Sequence, residues 1–186
     1  MGMNFFYLKM ANNISASISG DCEVIVIKVT SLSDNTDIQL SASRNGNAIQ
    51  LTPNSFPAGS LANGQILSLS FTASQLQSTE IVGQTGTAAE LSGVYVFTAT
   101  QGNTVSQAGV LAACNLDCCI GNEINDYMNC PCDPSKSPKI EKATKVFLLR
   151  EGAKADLSAS ILNPDNALTK FNKANEICDS SCGCGC

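Results

Sequence analysis

The sequence predicts an α+β protein: an antiparallel β-sandwich over residues 1–112, followed by a small antiparallel helical region over residues 113–186. Three observations predict this. Short β-branched or alternating runs, spaced by Gly, Asn and Pro turns, fill the first part. The composition changes at Cys114-Asn115-Leu116-Asp117-Cys118-Cys119. Beyond that point lie the long helical patterns and nine of the ten cysteines.

The strands come first. Cys22 to Thr30 is β-branched and nearly continuous, as a strand in a sandwich core should be. Asp37–Ser43 and Ala48–Thr52 flank Asn45-Gly46, a strong hairpin signal because both turn positions need positive φ. Pro53 and Pro57 interrupt the ladder that follows. In Gln65–Thr72, Leu67, Leu69 and Phe71 alternate with Ile66, Ser68 and Ser70, so the first set forms the buried face. Leu91–Thr100 and Thr104–Ala112 are the last two strands, turned at Gly102-Asn103. Cys22 is expected as a small buried apolar residue. The apolar patch within Met1–Lys9 is too short for a secretory signal, and Phe6 stands where a myristoylation motif needs Ser or Thr. It is expected to be a first strand or an assembly arm.

Helices are expected near residues 116–128, 138–161 and 164–178. Asn115 or Asp117 can cap the first, and Ile120, Ile124 and Met128 recur every four residues along it. Pro131 and Pro134 end it. Ile140, Ala143, Val146, Phe147, Leu149, Ala153 and Leu157 follow helical spacing in the second, with Gly152 weakening its middle by ~1 kcal/mol. Asn163-Pro164-Asp165 starts the third, which carries Ala167, Phe171, Ala174 and Cys178 on one face. Such short helices are marginal alone and should pack on one another.

Composition restricts the function. The chain has 186 residues, 15% of them charged, and a net charge of −5. A phosphate backbone needs a basic face, so nucleic acid is not expected as the main partner. His is absent, which removes the usual general base and the commonest metal ligand. No apolar run approaches the ~18 residues of a membrane span, so no membrane association is expected. There is no phosphate loop, nucleophile elbow or carboxylate constellation, and the protein is not expected to be an enzyme. Asp34, Asp37, Glu80 and Glu90 sit near turns and read as solvated charges.

The cysteines allow three states. Synthesis in a reducing cytoplasm favours thiols or metal ligands. Cys130, Cys132, Cys178 and Cys182 could close a tetrahedral zinc site, although the spacing departs from that of zinc ribbons; zinc is the one cofactor considered. Alternatively, disulfides among Cys114, Cys118, Cys119, Cys178, Cys184, Cys186 and the rest would staple the helices. Thiols packed as small hydrophobes are the third state. Lys139, Lys142, Lys145, Arg150 and Lys154 share the second helix with Glu141 and Glu151, as a solvated face or as one that binds the acidic part of a neighbouring copy.

Two resemblances add to this. Ser92-Gly93-Val94-Tyr95-Val96-Phe97 resembles the tyrosine corner of immunoglobulin-like domains, with Tyr95 two residues before the core position. Phe97 stands where antibody domains carry Cys, so their inter-sheet disulfide is not expected. The order of parts over residues 92–186, ending in Ala174-Asn175-Glu176-Ile177-Cys178 and Cys-Gly-Cys-Gly-Cys, resembles virion-associated proteins of tailed bacteriophages, especially those of Bacteroidetes-type hosts. That resemblance implies a structural component of the tail, neck or capsid surface, made in the host cytoplasm and located in the virion. Its partners would be copies of itself and other virion proteins. The second reading is an extracellular or surface binding module whose helical part is stapled by disulfides or zinc.

Overall fold

Strict two-residue alternation organises the β part. The computed structural model describes residues 13–19, 23–72, 75–76, 91–129 and 137–178. The strands are β1 (Ile14–Ile18), β2 (Val24–Thr30), β3 (Ile38–Arg44), β4 (Asn47–Ile49), β5 (Ser55–Phe56), β6 (Ile66–Thr72), β7 (Gly93–Gln101) and β8 (Thr104–Ala112). All pairings are antiparallel. One sheet runs β1-β2-β6; the other runs β4-β3-β7-β8, with β5 also on β3. Ile25, Ile27, Val29 and Phe71 from the first sheet share one apolar core with Leu40, Tyr95, Phe97 and Val110 from the second. The first sheet's β1 edge lies beside β8, where Asn13 N donates to Ser106 Oγ.

Most expected strands form within two or three residues of their predicted limits. Asn45 and Gly46 both take positive φ, 52° and 82°, as a two-residue β3–β4 turn requires. Leu67, Leu69 and Phe71 do face the core. Two strands were not expected. β1 is a plain Ile-x-Ala-x-Ile alternation, too polar between its apolar positions to stand out. β5 is two residues between the prolines, long enough only for the pairs Ile38–Phe56 and Gln39–Ser55. Cys22 and the Met1–Lys9 arm lie outside the described residues.

Three helices follow: α1 (Cys114–Asn129), α2 (Ser137–Ser158) and α3 (Pro164–Cys178). They pack on the outer face of the second sheet. Val94 and Leu111, whose strand neighbours Tyr95 and Val110 point into the inter-sheet core, meet Leu116, Val146, Leu157 and Phe171 in a second core. Strands β7 and β8 therefore have apolar residues on both faces. The close approach falls at Gly109. A Cβ there would lie 2.8 Å from Leu157 Cδ2, 3.1 Å from its Cβ and 3.3 Å from its carbonyl oxygen. The first contact can turn away, but the other two are anchored in the α2 backbone. Gly109→Ala is expected to cost about 1–3 kcal/mol, read as a lowered urea midpoint. An unchanged midpoint would mean that α2 slides freely on the sheet.

The helix starts differ in how closely they follow expectation. Asn163 Oδ1 accepts from Asn166 N at 3.3 Å and Pro164 opens α3, as expected. At α1 neither Asn115 nor Asp117 is the cap. Both lie inside the first turn, where Leu116 N and Asp117 N donate to Ala113 O. Asn115 instead donates to Asn175 Oδ1 on α3. α2 ends at Ser158, three residues short of the expected Ile161, which is exposed.

Tyr95 and Phe97 occupy the expected core positions, both fully buried, with rings stacked at 6.3 Å. The tyrosine-corner bond is not made among the described residues. Tyr95 Oη has no hydrogen-bond partner there, whereas a tyrosine corner ties this hydroxyl to the backbone. Arg44 lies over the ring, with its Nε and Nη2 donating to Ser92 O at 3.1 and 2.6 Å. Burial raises the Tyr95 pKa above its ordinary 10.0, against the opposing charge of Arg44. Tyr95→Phe removes a hydroxyl that lost water without gaining a partner, so it should stabilise the fold by about 1 kcal/mol. The sign of the pH effect follows. The folded state keeps a proton that the unfolded state releases, so wild-type stability is full below about pH 10 and falls above it. The variant should lack that share of the fall. Paired urea titrations at neutral and alkaline pH test both parts.

Candidate functional site

The site is built on α2, which is flanked by α1 and α3. On α1 the buried positions are Leu116, Cys119 and Glu123. The repeat expected from the sequence, Ile120, Ile124 and Met128, is the next stripe round: Ile120 is half-buried against the helical core, and Ile124 and Met128 are exposed. Together with Ile140, Ala143 and Phe147 of α2, Ile120 and Ile124 line an apolar groove of about 310 Å³. Several apolar residues of these helices are exposed: Ile124 43% and Phe147 44% in this groove, Met128 68% near the end of α1, and Leu148 62% on the α2–α3 side. Scattered exposed apolar residues are ordinary, but a contiguous set marks a contact surface. A second groove, about 740 Å³, lies between α2 and α3. Its apolar wall includes Leu148, Leu149 and Ile177, and Lys142, Lys145 and Lys173 also line it.

The cations of α2 are engaged within the chain. Lys142 Nζ meets Glu123 Oε1 of α1 at 2.9 Å, with both side chains largely covered. Arg150 pairs with Asp117 of α1 and stacks over Phe147. Lys145 pairs with Glu141, and Lys154 with Glu151. These bonds hold Glu141 below the usual carboxylate range through the hydrogen bond from Lys145, and Glu151 likewise through the one from Lys154. Lys142 and Arg150 clamp α1 to α2, and the remaining pairs are exposed and worth little individually.

Cys119 and Cys178 form a disulfide across α1 and α3, with Cα atoms 6.1 Å apart. The start of α1 meets the end of α3: Cys119 lies in the second turn of α1, Cys178 ends α3, and Asn115 meets Asn175 beside them. Cys114 is disulfide-bonded as well. Cys118 is half-buried, and Asn122 Nδ2 lies 3.8 Å from its sulfur. The sequence groups Cys178 with Cys130, Cys132 and Cys182 as a zinc candidate; in the structure its sulfur is bonded to Cys119, which leaves no thiolate there to offer a metal. Cys130, Cys132, Cys182, Cys184 and Cys186 lie outside the described residues. Among the described residues no three His, Cys, Asp or Glu side chains group as a metal site, and no helix is long and apolar enough to cross a membrane.

Comparison with protein-family models, with curated proteins and with solved structures finds no match. What the fold and site define is a class: an α+β protein of antiparallel sheets, with a helical layer that presents apolar grooves.

Proposed function

We propose that the protein is a structural component of a bacteriophage particle, acting through assembly with its own copies and with other virion proteins. The supporting observation is the exposed apolar side chains of the helical layer: Ile124 and Phe147 in the α1–α2 groove, Leu148 in the α2–α3 groove, and Met128 near the end of α1. Burying such a surface against a second copy would be favourable at ~25 cal/mol per Å² before the costs of association. The particle setting, and the immunoglobulin-like reading of residues 1–112, rest on the sequence resemblances. The division into a sandwich and a Cys-stapled helical region belongs to the same proposal.

Self-association is the first test. The wild-type protein should form oligomers at high micromolar concentration in sedimentation velocity. Phe147→Asp, which places a charge in the groove at an exposed residue, should shift it to monomer with an unchanged circular dichroism spectrum. A wild-type monomer at every concentration, absent from particle proteomes, would sink the reading.

The second reading, a surface or extracellular binding module, is favoured by the Cys119–Cys178 bond, since disulfides persist in oxidising surroundings. Glycan-array binding by a soluble monomer would select it.

A further inference from the structure

We propose that the Cys119–Cys178 bond is a redox lock on the helical layer: reduced, α3 can leave its seat while the strands stay folded; oxidised, the layer is closed over β7 and β8. This goes beyond the assembly reading and does not depend on it.

Three observations carry the inference. Among the described residues, this bond and the Asn115–Asn175 amide pair at 2.7 Å join α1 to α3. The fully buried face of α3 is small: Ala167, Phe171, Ala174 and Cys178, with Phe171 its one large side chain and Leu168 and Ile177 packed at the margin. The two cores are separate. Leu111 and Val94 belong to the helical one, while their strand neighbours Val110 and Tyr95 belong to the inter-sheet one. Releasing α3 uncovers the outer face of β7, with α2 still seated on β8, and leaves the inter-sheet contacts intact. Locally opening units of this kind often coincide with supersecondary elements.

The chemistry balances with a low-molecular-weight disulfide, RSSR, as oxidant. Cys178 is the more accessible partner, 5% exposed against 0% for Cys119, and ends its helix. Its thiolate attacks one sulfur of RSSR, the RS–SR bond breaks, and RS⁻ leaves to take a proton from water. The Cys119 thiolate then attacks the Cys178 sulfur of the mixed disulfide and expels the second RS⁻. Two protein thiols are oxidised and one RSSR becomes two RSH. A chain made under reducing conditions therefore keeps an openable helical layer until it meets an oxidant.

Hydrogen exchange read by mass spectrometry tests this on the full chain. In Cys119→Ala/Cys178→Ala, protection across α3 and the start of α1 should fall by about a hundred-fold or more relative to oxidised wild type. Protection in β2, β3 and β7 should hold. Unchanged protection in α3, or an equal fall across strands and helices, overturns the lock. Should the double variant fail to fold, wild type is reduced by a thiol in low urea while alkylation of Cys178 is followed. The lock requires reduction at a rate nearly independent of urea below the global transition. Reduction that tracks global unfolding overturns it.

Discussion

Gln101→Glu is expected to cost roughly 3–5 kcal/mol at neutral pH, a large share of the stability of a chain this size. Gln101 ends β7 and is 4% exposed. It ties down the segment that carries the chain from β2 in one sheet to β3 in the other. Its Oε1 accepts from Leu32 N at 2.7 Å. Its Nε2 donates to Ser33 O at 2.7 Å, with Ser31 Oγ and Thr36 O at 3.3 Å. Glu has the same shape, so packing is not the cause of the loss. An ionised carboxylate would set oxygen against two carbonyl oxygens and bury a charge without a cation.

The expected pH dependence distinguishes this from a packing defect. Burial and the facing carbonyls would raise the folded-state pKa of the introduced Glu above its unfolded value of about 4.3. The variant therefore approaches wild type as pH falls toward the unfolded pKa, where a protonated carboxyl can donate to Ser33 O. The deficit grows as pH rises through the folded pKa and is complete above it. Urea midpoints of both proteins at neutral and mildly acidic pH measure it. A deficit below about 1 kcal/mol, or one that is flat with pH, would mean that the 31–37 segment is held by something other than Gln101.

Loss of the Cys119–Cys178 link should cost about 4 kcal/mol. The bond closes a sequence separation of 59 residues, and the chain-entropy relation gives about this value for a loop of that length. The rest of the helical layer offsets little of it. Where α3 meets the helical core, its buried positions besides Phe171 and Cys178 are Ala167 and Ala174, and alanines bury little area each. Cys119→Ala/Cys178→Ala should lower the urea midpoint of the helical circular dichroism signal by the equivalent of that free energy, with little change in the native spectrum. A shift worth less than about 1 kcal/mol would show that α1 and α3 are held by their side-chain contacts alone.

The sequence alone determined the local elements wherever one physical rule dominated. Period-two alternation placed β6, β7 and β8. Positive-φ residues placed the Asn45-Gly46 turn, and Asn163-Pro164 with apolar residues at helical spacing placed α3 to the residue. It also named the face that α3 buries, because Ala167, Phe171, Ala174 and Cys178 have one arrangement on a helix. Where two stripes competed, local rules were insufficient. On α1, Ile120-Ile124-Met128 is the more apolar stripe, yet Leu116-Cys119-Glu123 is the one buried. Glu123 can sit inside because Lys142 from another helix meets it, and no local pattern encodes that partner.

Tertiary structure decided the rest, since it depends on contacts distant in sequence. The seat of the helices on the outer face of β7 and β8 follows from Gly109 lying under Leu157. The tether of the inter-sheet crossover is set by one buried amide at Gln101. The pairing of Cys119 with Cys178, among ten cysteines, follows from the docking of the start of α1 against the end of α3. Spacing lists the sulfurs that could meet; packing brings these two together.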